Sequence, residues 1–242
     1  MRITTHGDNL IQLTRYMAFN AFLLREADGF TLIDTGMQGS AQAILDAAQA
    51  HGAPIRRIAL THAHVDHVGS LDALHALLPD AEVAISARDA RFLTGDQSLD
   101  ADEPQTQLRG GYPVCTTQPT RLLNAGDRVG SLEVIATPGH TSGHVAFFDH
   151  RDGTLIAGDA YSTQAGISTG GVFRLLFPFP AMATWNKPTA IRSAEALVRL
   201  QPTRLAVGHG RTLENPVPAM ERAIAEARRS LRSADYGIQK AY

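Results

Sequence analysis

Short apolar runs separated by turn residues dominate the first sixty positions, a spacing that favours strands over helices. Residues 10–14 and 20–25 alternate or run apolar, and 30–33 stops at Asp34-Thr35-Gly36. Asp28-Gly29, between two of these runs, is a hairpin turn signal. Past Gly36 the period changes. Ala41, Ile44, Leu45 and Ala48 form a helical stripe that should end near Gly52-Ala53-Pro54, and 55–60 reads as a buried strand. Val68, Leu71, Leu74, Leu77 and Leu78 resume helical spacing up to Pro79-Asp80. Residues 81–86 predict a strand and 87–93 a short helix, while the polar stretch 94–118 has little periodicity and reads as a surface loop or flap. Beyond Arg121 strands return at 131–136, 144–148 and 154–157, divided by Pro138-Gly139 and Asp152-Gly153 turns. A second irregular stretch, 161–185, precedes a helix over 188–200 that carries Ile191, Ala194, Leu197 and Val198 on one face. Pro188 suits its first turn, and Glu195 and Arg199 stand at a stabilising i,i+4 spacing. A strand at 204–207 and a last helix from Val217 complete the pattern. Strand-rich halves flanked by helices hint at αββα layering, without a strong internal repeat.

Composition narrows the class. With 242 residues, 44% apolar and 19% charged, the chain can bury one large core, and a single domain over 1–242 is expected. A net charge of -2 without a long basic stripe argues against a nucleic-acid surface. The local run Arg228, Arg229 and Arg232 lies beside Glu221 and Glu226, as on a solvated helix face. Cys115 is the only cysteine, which excludes an intramolecular disulfide and thiolate-rich zinc sites, so any metal must use imidazole and carboxylate. Residues 1–8 have no apolar stretch of signal-peptide length, and no later segment is long and apolar enough to span a membrane. The expectation is a cytoplasmic protein with no membrane partner.

Three of the ten histidines, His62, His64 and His67, fall within six residues after an apolar strand and before a helix. A loop on a rigid base can gather such side chains, and the interleaved Asp66 makes four candidate donors for zinc, iron, nickel or copper. Further candidates stand where predicted strands end: His140, Asp159 and His209. Alone, each fits a turn or cap residue; together they point donors from four strand ends toward one rim.

Through Asp34-Thr35-Gly36, the run His62-Ala63-His64-Val65-Asp66-His67, Pro138-Gly139-His140-Thr141, Gly158-Asp159 and Gly208-His209-Gly210, the chain resembles the metallo-β-lactamase superfamily from about residue 20 to residue 210. The resemblance implies an α+β fold, a four-layer αββα sandwich with metals at one edge. It implies that His62, His64 and His140 bind one ion, that Asp66, His67 and His209 bind the other, and that Asp159 bridges them. Two divalent ions, zinc with iron or manganese as alternatives, would then share a hydroxide that attacks a small ester-like substrate. Asp66 would both ligate and orient that nucleophile, and Asp34 is a candidate to fix the tautomer of a ligating imidazole.

Departures from the family narrow the choice further. Members that cleave β-lactams commonly use a cysteine at one metal or a different second set, and Cys115 lies outside every motif. Glyoxalase II enzymes share the ligand set but generally carry a further C-terminal helical region for glutathione, so a glutathione thioester is not expected. Quorum-signal lactonases place a tyrosine soon after the bridging Asp; Tyr161, two residues after Asp159, is a candidate oxyanion donor or a core aromatic. The stretch 161–185 is unusually apolar, with Phe173, Leu175, Leu176, Phe177, Phe179, Met182 and Trp185. Core packing or a homodimer contact outweighs a wall for an acyl or aromatic group, and 162–168 adds polar donors. The expectation is a dinuclear hydrolase of a lactone, ester or thioester. A mononuclear iron persulfide oxygenase, a phosphodiesterase and side activity on β-lactams are the alternatives.

Overall fold

The computed structural model describes residues 1–169 and 171–239, with side chains through 233. Residues 10–15, 19–26 and 29–33 form strands with two unlike faces, and both faces are covered. Strands β1 (Arg2–His6), β2 (Leu10–Arg15), β3 (Phe19–Glu26), β4 (Gly29–Ile33), β5 (Ile55–Ala59), β6 (Glu82–Ser86) and β7 (Arg121–Leu123) form one sheet in chain order. Pairing is antiparallel from β1 to β4 and parallel from β4 to β7. Parallel neighbours need crossovers. These are α1 (Ala41–Ala50), then α2 (Val65–Val68) with α3 (Leu71–Leu77), then α4 (Ala87–Leu93) with its long loop.

The second sheet holds β8 (Arg128–Val129), β9 (Leu132–Ala136), β10 (Val145–Asp149) and β11 (Thr154–Ile156). A small ribbon of β12 (Tyr161–Ser162) and β13 (Ser168–Thr169) interrupts it in sequence before β14 (Arg204–Ala206) and β15 (Leu213–Glu214), giving the order β15-β14-β11-β10-β9-β8. Helices α5 (Phe179–Ala183), α6 (Lys187–Arg199) and α7 (Val217–Gln239) follow the ribbon or close the chain.

Three buried clusters mark three interfaces, hence four layers. Between the sheets Leu10, Phe22, Ile33 and Ala84 meet Leu132, Val134, Val145, Phe147, Ile156 and Ala206. One residue along β10 the direction reverses, so Ala146 and Phe148 pack with Ala194, Leu197, Met220 and Ile224 of α6 and α7. On the far side Leu23, Leu32, Ile58 and Ile85 pack with Ile44, Ala48, Leu71 and Leu74. This is the expected αββα sandwich.

Local differences have physical reasons. The expected helix over 68–78 is split at Gly69-Ser70 into α2 and α3: Ser70 leaves helical geometry at φ -110° and ψ 11°, with its hydroxyl donating to the Met37 carbonyl at 2.7 Å, and Gly69 allows the close approach of Gln38 and Gly36. β1 has no buried residue, so its pattern carries no apolar signal; its backbone pairing to β2 alone defines it. Among the described residues no helix is long and apolar enough to cross a membrane.

Candidate metal centre

Strands of both sheets end on one rim, and each delivers donors there. The chain leaving β5 carries His62 and His64 and enters α2 with Asp66 and His67; His140 sits in the turn between β9 and β10. Asp159 lies in a single 3-10 turn after β11, and His209 follows the parallel neighbour β14. All seven expected donors are brought together. The ligand atoms of His62, His64 and His140 lie within 4.8 Å of one another, as do those of His62, His67 and Asp159 and those of Asp66, His67 and His209. Six are buried and Asp66 is half-buried.

The outward nitrogen of each imidazole meets an acceptor. Asp34 Oδ2 takes His67 Nδ1–H at 2.7 Å. The Thr61 hydroxyl donates to Asp34 at 2.8 Å and so accepts from His62 Nδ1, 3.0 Å away. His64 Nε2 donates to the Arg109 carbonyl at 2.9 Å, and His209 Nδ1 reaches that of Ala18 at 3.3 Å. The Thr184 hydroxyl donates to the Pro180 carbonyl and therefore accepts from His140 Nδ1 at 3.1 Å. With outer protons so placed, the inner nitrogens of the neutral rings His62, His64 and His140 carry lone pairs. Two of them, His64 Nδ1 and His140 Nε2, face each other at 3.0 Å with no proton between. His62 Nε2, His67 Nε2 and Asp159 Oδ1 are buried without any hydrogen-bond partner. Converging orphaned donors of this kind fit a divalent cation, which would satisfy all of them at once.

Protonation divides the cluster into two unlike sides. Burial, reinforced by neighbouring imidazoles, holds His62 well below the usual imidazole range; burial does the same to His140 and brings His64 to about 4. Burial also opposes charge on His67 and His209, but surrounding carboxylates outweigh it. Asp34, Asp66 and Asp159 hold His67 well above the usual range, and Asp159 with Asp66 raises His209 to about 9. Burial would raise Asp159, yet His209, His67 and His140 keep it well below the ordinary carboxylate value.

Three positioning residues are absent from the sequence-based expectations. Asp89 is fully buried and accepts from Ala63 N–H at 3.0 Å, the Thr141 hydroxyl at 2.7 Å and Gly143 N–H at 2.7 Å, which ties the His62–His64 segment to the His140 turn. His144 accepts the Asp159 N–H at Nε2, 3.0 Å away, and burial keeps it neutral by lowering it to about 3. Asn20 donates to the carbonyls of Val207 and Gly210 at 2.8 and 2.7 Å, holding both sides of His209. Two glycines permit close approach: a Cβ on Gly208 would strike Asp159 and His67, and one on Gly110, whose φ is +86°, would strike the His64 ring.

Tyr161 is corrected. It has no exposed surface, its hydroxyl donates to the Ala194 carbonyl at 3.0 Å, and it packs with Leu197 and Met220, so the core role holds and the oxyanion role does not. The hydroxyls of Ser162 and Thr163 likewise turn to backbone carbonyls of His209 and Arg211. Stretch 161–185 is divided. Trp185 and Phe177 are buried, whereas Phe179 and Met182 line a cavity of about 450 Å³ whose floor is His64, Asp66, His140, Asp159 and His209. Phe19, Met37, Val65 and Gly110 add to its walls, so the 94–118 loop does reach the site.

Comparison with known proteins agrees with this geometry. The family model described as the metallo-beta-lactamase superfamily matches residues 18–209, from the Ala18 carbonyl acceptor to the last histidine donor. The chain belongs to the metallo-beta-lactamase superfamily. It is 48% identical over 233 residues to the Bacillus subtilis (strain 168) protein YobT, covering 95% of this chain and 100% of that one. It is 30% identical over 203 residues to the probable metallo-hydrolase YflN of the same organism, 76% of each chain. The solved structure of TTHA1623 in a di-iron-bound form superposes with a TM-score of 0.62 at 28% identity, over 85% of this chain and 94% of that one. Within the superfamily the chain is a metal-dependent hydrolase.

Two variants separate positioning from packing. Tyr161→Phe should leave kcat and KM unchanged and cost about 1 kcal/mol in urea unfolding, the worth of one buried hydrogen bond. Asp89→Ala should weaken metal retention on dialysis by about tenfold. Burial raises Asp89 to about 6, above its unfolded value near 4, so its stabilising contribution is full below about pH 4 and lost as pH rises through 6. The stability gap between native protein and Asp89→Ala should therefore narrow from pH 4 to pH 7, measured by urea titration at each pH.

Proposed function

We propose that the protein is a dinuclear hydrolase of small ester-like bonds, cleaving a lactone, ester or thioester carbonyl. In this reading His62, His64 and His140 hold one divalent ion, Asp66, His67 and His209 hold a second, and Asp159 lies between them. The observation that carries it is the pair of donor groups on either side of one buried carboxylate, with inner atoms left free. Zinc suits these donors, and iron or manganese is equally compatible with imidazole and carboxylate. The di-iron form of TTHA1623 supports a two-ion site on a related chain.

When bound, two ions supply a water that loses its proton near neutral pH and a Lewis acid for the carbonyl oxygen. The chain's part is orientation. Asp66, the one half-exposed donor, faces the cavity and directs the nucleophile at a carbonyl seated above it. Phe19 and Phe177 lie against His209 with ring centroids 5.3 and 5.2 Å away, keeping water from that flank. Asp66 with His67 and His209 forms a complete second donor group, which favours this reading over a single-iron oxygenase. Apolar walls favour a carbonyl substrate over a phosphodiester and leave room for β-lactam turnover as a side activity.

Elemental analysis of gently purified protein should find close to two ions per chain, and a panel of lactone, thioester, β-lactam and phosphodiester substrates should yield one hydrolysed ester-like class. One iron per chain with no hydrolysis would overturn the proposal. His64→Ala and Asp159→Ala should each abolish nearly all turnover with the fold kept, by circular dichroism. Refilling metal-free protein near pH 7 should release protons unequally. Neutral His62, His64 and His140 have none to lose, whereas His67 and His209 give up theirs, in addition to the proton lost by the water that the ions would hold. Calorimetry in buffers of different ionisation enthalpy reads that asymmetry.

A further inference from the structure

The cavity above the donor cluster has a floor of polar atoms and walls of hydrocarbon. Phe19, Met37, Val65, Phe179 and Met182 form those walls, and among the described residues no lysine or arginine lines the space. Two guanidinium groups on the bordering segments are turned to protein partners, while Arg109 and Arg211, beside Gly110 and Gly210, are exposed and do not line the space. Arg15 donates to the Gln38 carbonyl and the Ser40 hydroxyl, and Arg174 holds Glu226. The apolar wall is also braced. Phe177, itself buried, stands edge-on to Phe179 at 5.3 Å and to Phe19 at 6.2 Å, so one aromatic surface runs from β3 to α5. In contrast Phe179 and Met182 are 60% and 59% exposed beside the opening, a large apolar surface for a site wall to leave in water.

We infer that this wall selects substrates whose acyl or ring substituent is apolar and uncharged, with the reacting carbonyl on the floor and the substituent along Phe179, Met182 and Met37. This rests on the hydrolase reading and adds a substrate class to it. An aliphatic arm gains contact with each methylene laid on the wall. A carboxylate laid on the same wall gives up hydration and meets no lysine or arginine among the lining residues. Phe179 and Met182 are thus specificity-determining residues that touch the substrate away from the scissile bond.

The test uses metal-loaded protein and p-nitrophenyl esters from acetate to octanoate, with matched esters ending in a carboxylate. On the native chain kcat/KM should rise about three- to fourfold per methylene over the first several carbons. The terminal carboxylate should lower it at least about tenfold relative to the neutral ester of equal length. Phe179→Ala and Met182→Ala should flatten the rise, and Met182→Lys should narrow the penalty on the acid. Binding of neutral N-alkylacetamides, followed by ligand-detected NMR, provides a readout independent of turnover. Hydrolysis that ignores chain length, or prefers the acid, overturns the inference and leaves the hydrolase reading intact. Silence toward these esters and toward matched lactones and thioesters, with length-dependent amide binding that Phe179→Ala weakens, overturns the hydrolase reading and supports the apolar pocket. Absence of both overturns both.

Discussion

Asp34 is the buried carboxylate on which the donor cluster depends. It stands where β4 ends, at a φ of +59° that few residues other than glycine adopt, and this strained backbone turns its side chain toward the end of β5. There one oxygen accepts the Thr61 N–H at 2.8 Å, and the other accepts the Thr61 hydroxyl at 2.8 Å and His67 Nδ1 at 2.7 Å. The neighbouring Thr35 adds its N–H and hydroxyl to the His67 carbonyl at 2.6 and 2.8 Å. One short turn therefore orients His67 by ring and backbone, and orients His62 through Thr61. The rest of the His62–His67 run inherits its direction from these contacts.

The opposite half comes from the second sheet, and the two halves must meet to within fractions of an ångström. Parallel pairing of β11 with β14 sets Asp159 beside His209, whose Nε2 lies 2.9 Å from the carboxylate. Asn20 of the first sheet reaches across to the β14 exit, and Asp89 from α4 grips both ligand-bearing turns. Each half is thus fixed by contacts made from the other, as a preorganised metal site requires. The unequal protonation follows from the same arrangement. Carboxylates crowd around His67 and His209, while His62, His64 and His140 are desolvated among other imidazoles.

How much of this was legible in the sequence depends on how far apart the determining contacts lie. Ile33, Ile58, Val145 and Phe147 announce strands because burial on a pleated face leaves a local pattern, and the seven donors stand at strand ends in a recognisable order. Asp89 leaves no such mark. It lies three residues after Ser86, whose hydroxyl accepts its N–H in an ordinary helix cap, and that local role accounts for an acid there. Its carboxylate acts on Thr141 and Gly143, more than fifty positions away. His144 and Asn20 are hidden for the same reason, one at the entry to a strand and one within it. Tyr161 failed the other way: nearness in sequence to Asp159 suggested a shared site, but the chain turns between them and the ring enters the core with Ala194 as its partner.

The segments with the weakest sequence periodicity border the cavity, and this follows from what each part must do. Regular strands and helices bury their apolar residues in three continuous clusters, leaving little freedom to change a side chain without opening a void. Gly110 and Phe179 stand outside those clusters, on connections whose backbones are held by a few contacts such as the Trp185 indole to the Thr106 carbonyl at 2.9 Å. Exposed Phe179 and Met182 line the cavity and contribute nothing to the cores, and burying them would gain roughly 1.5–3 kcal/mol each. A loop serving stability alone would carry polar residues there. Its composition is better explained by what passes over the donors than by what lies beneath them.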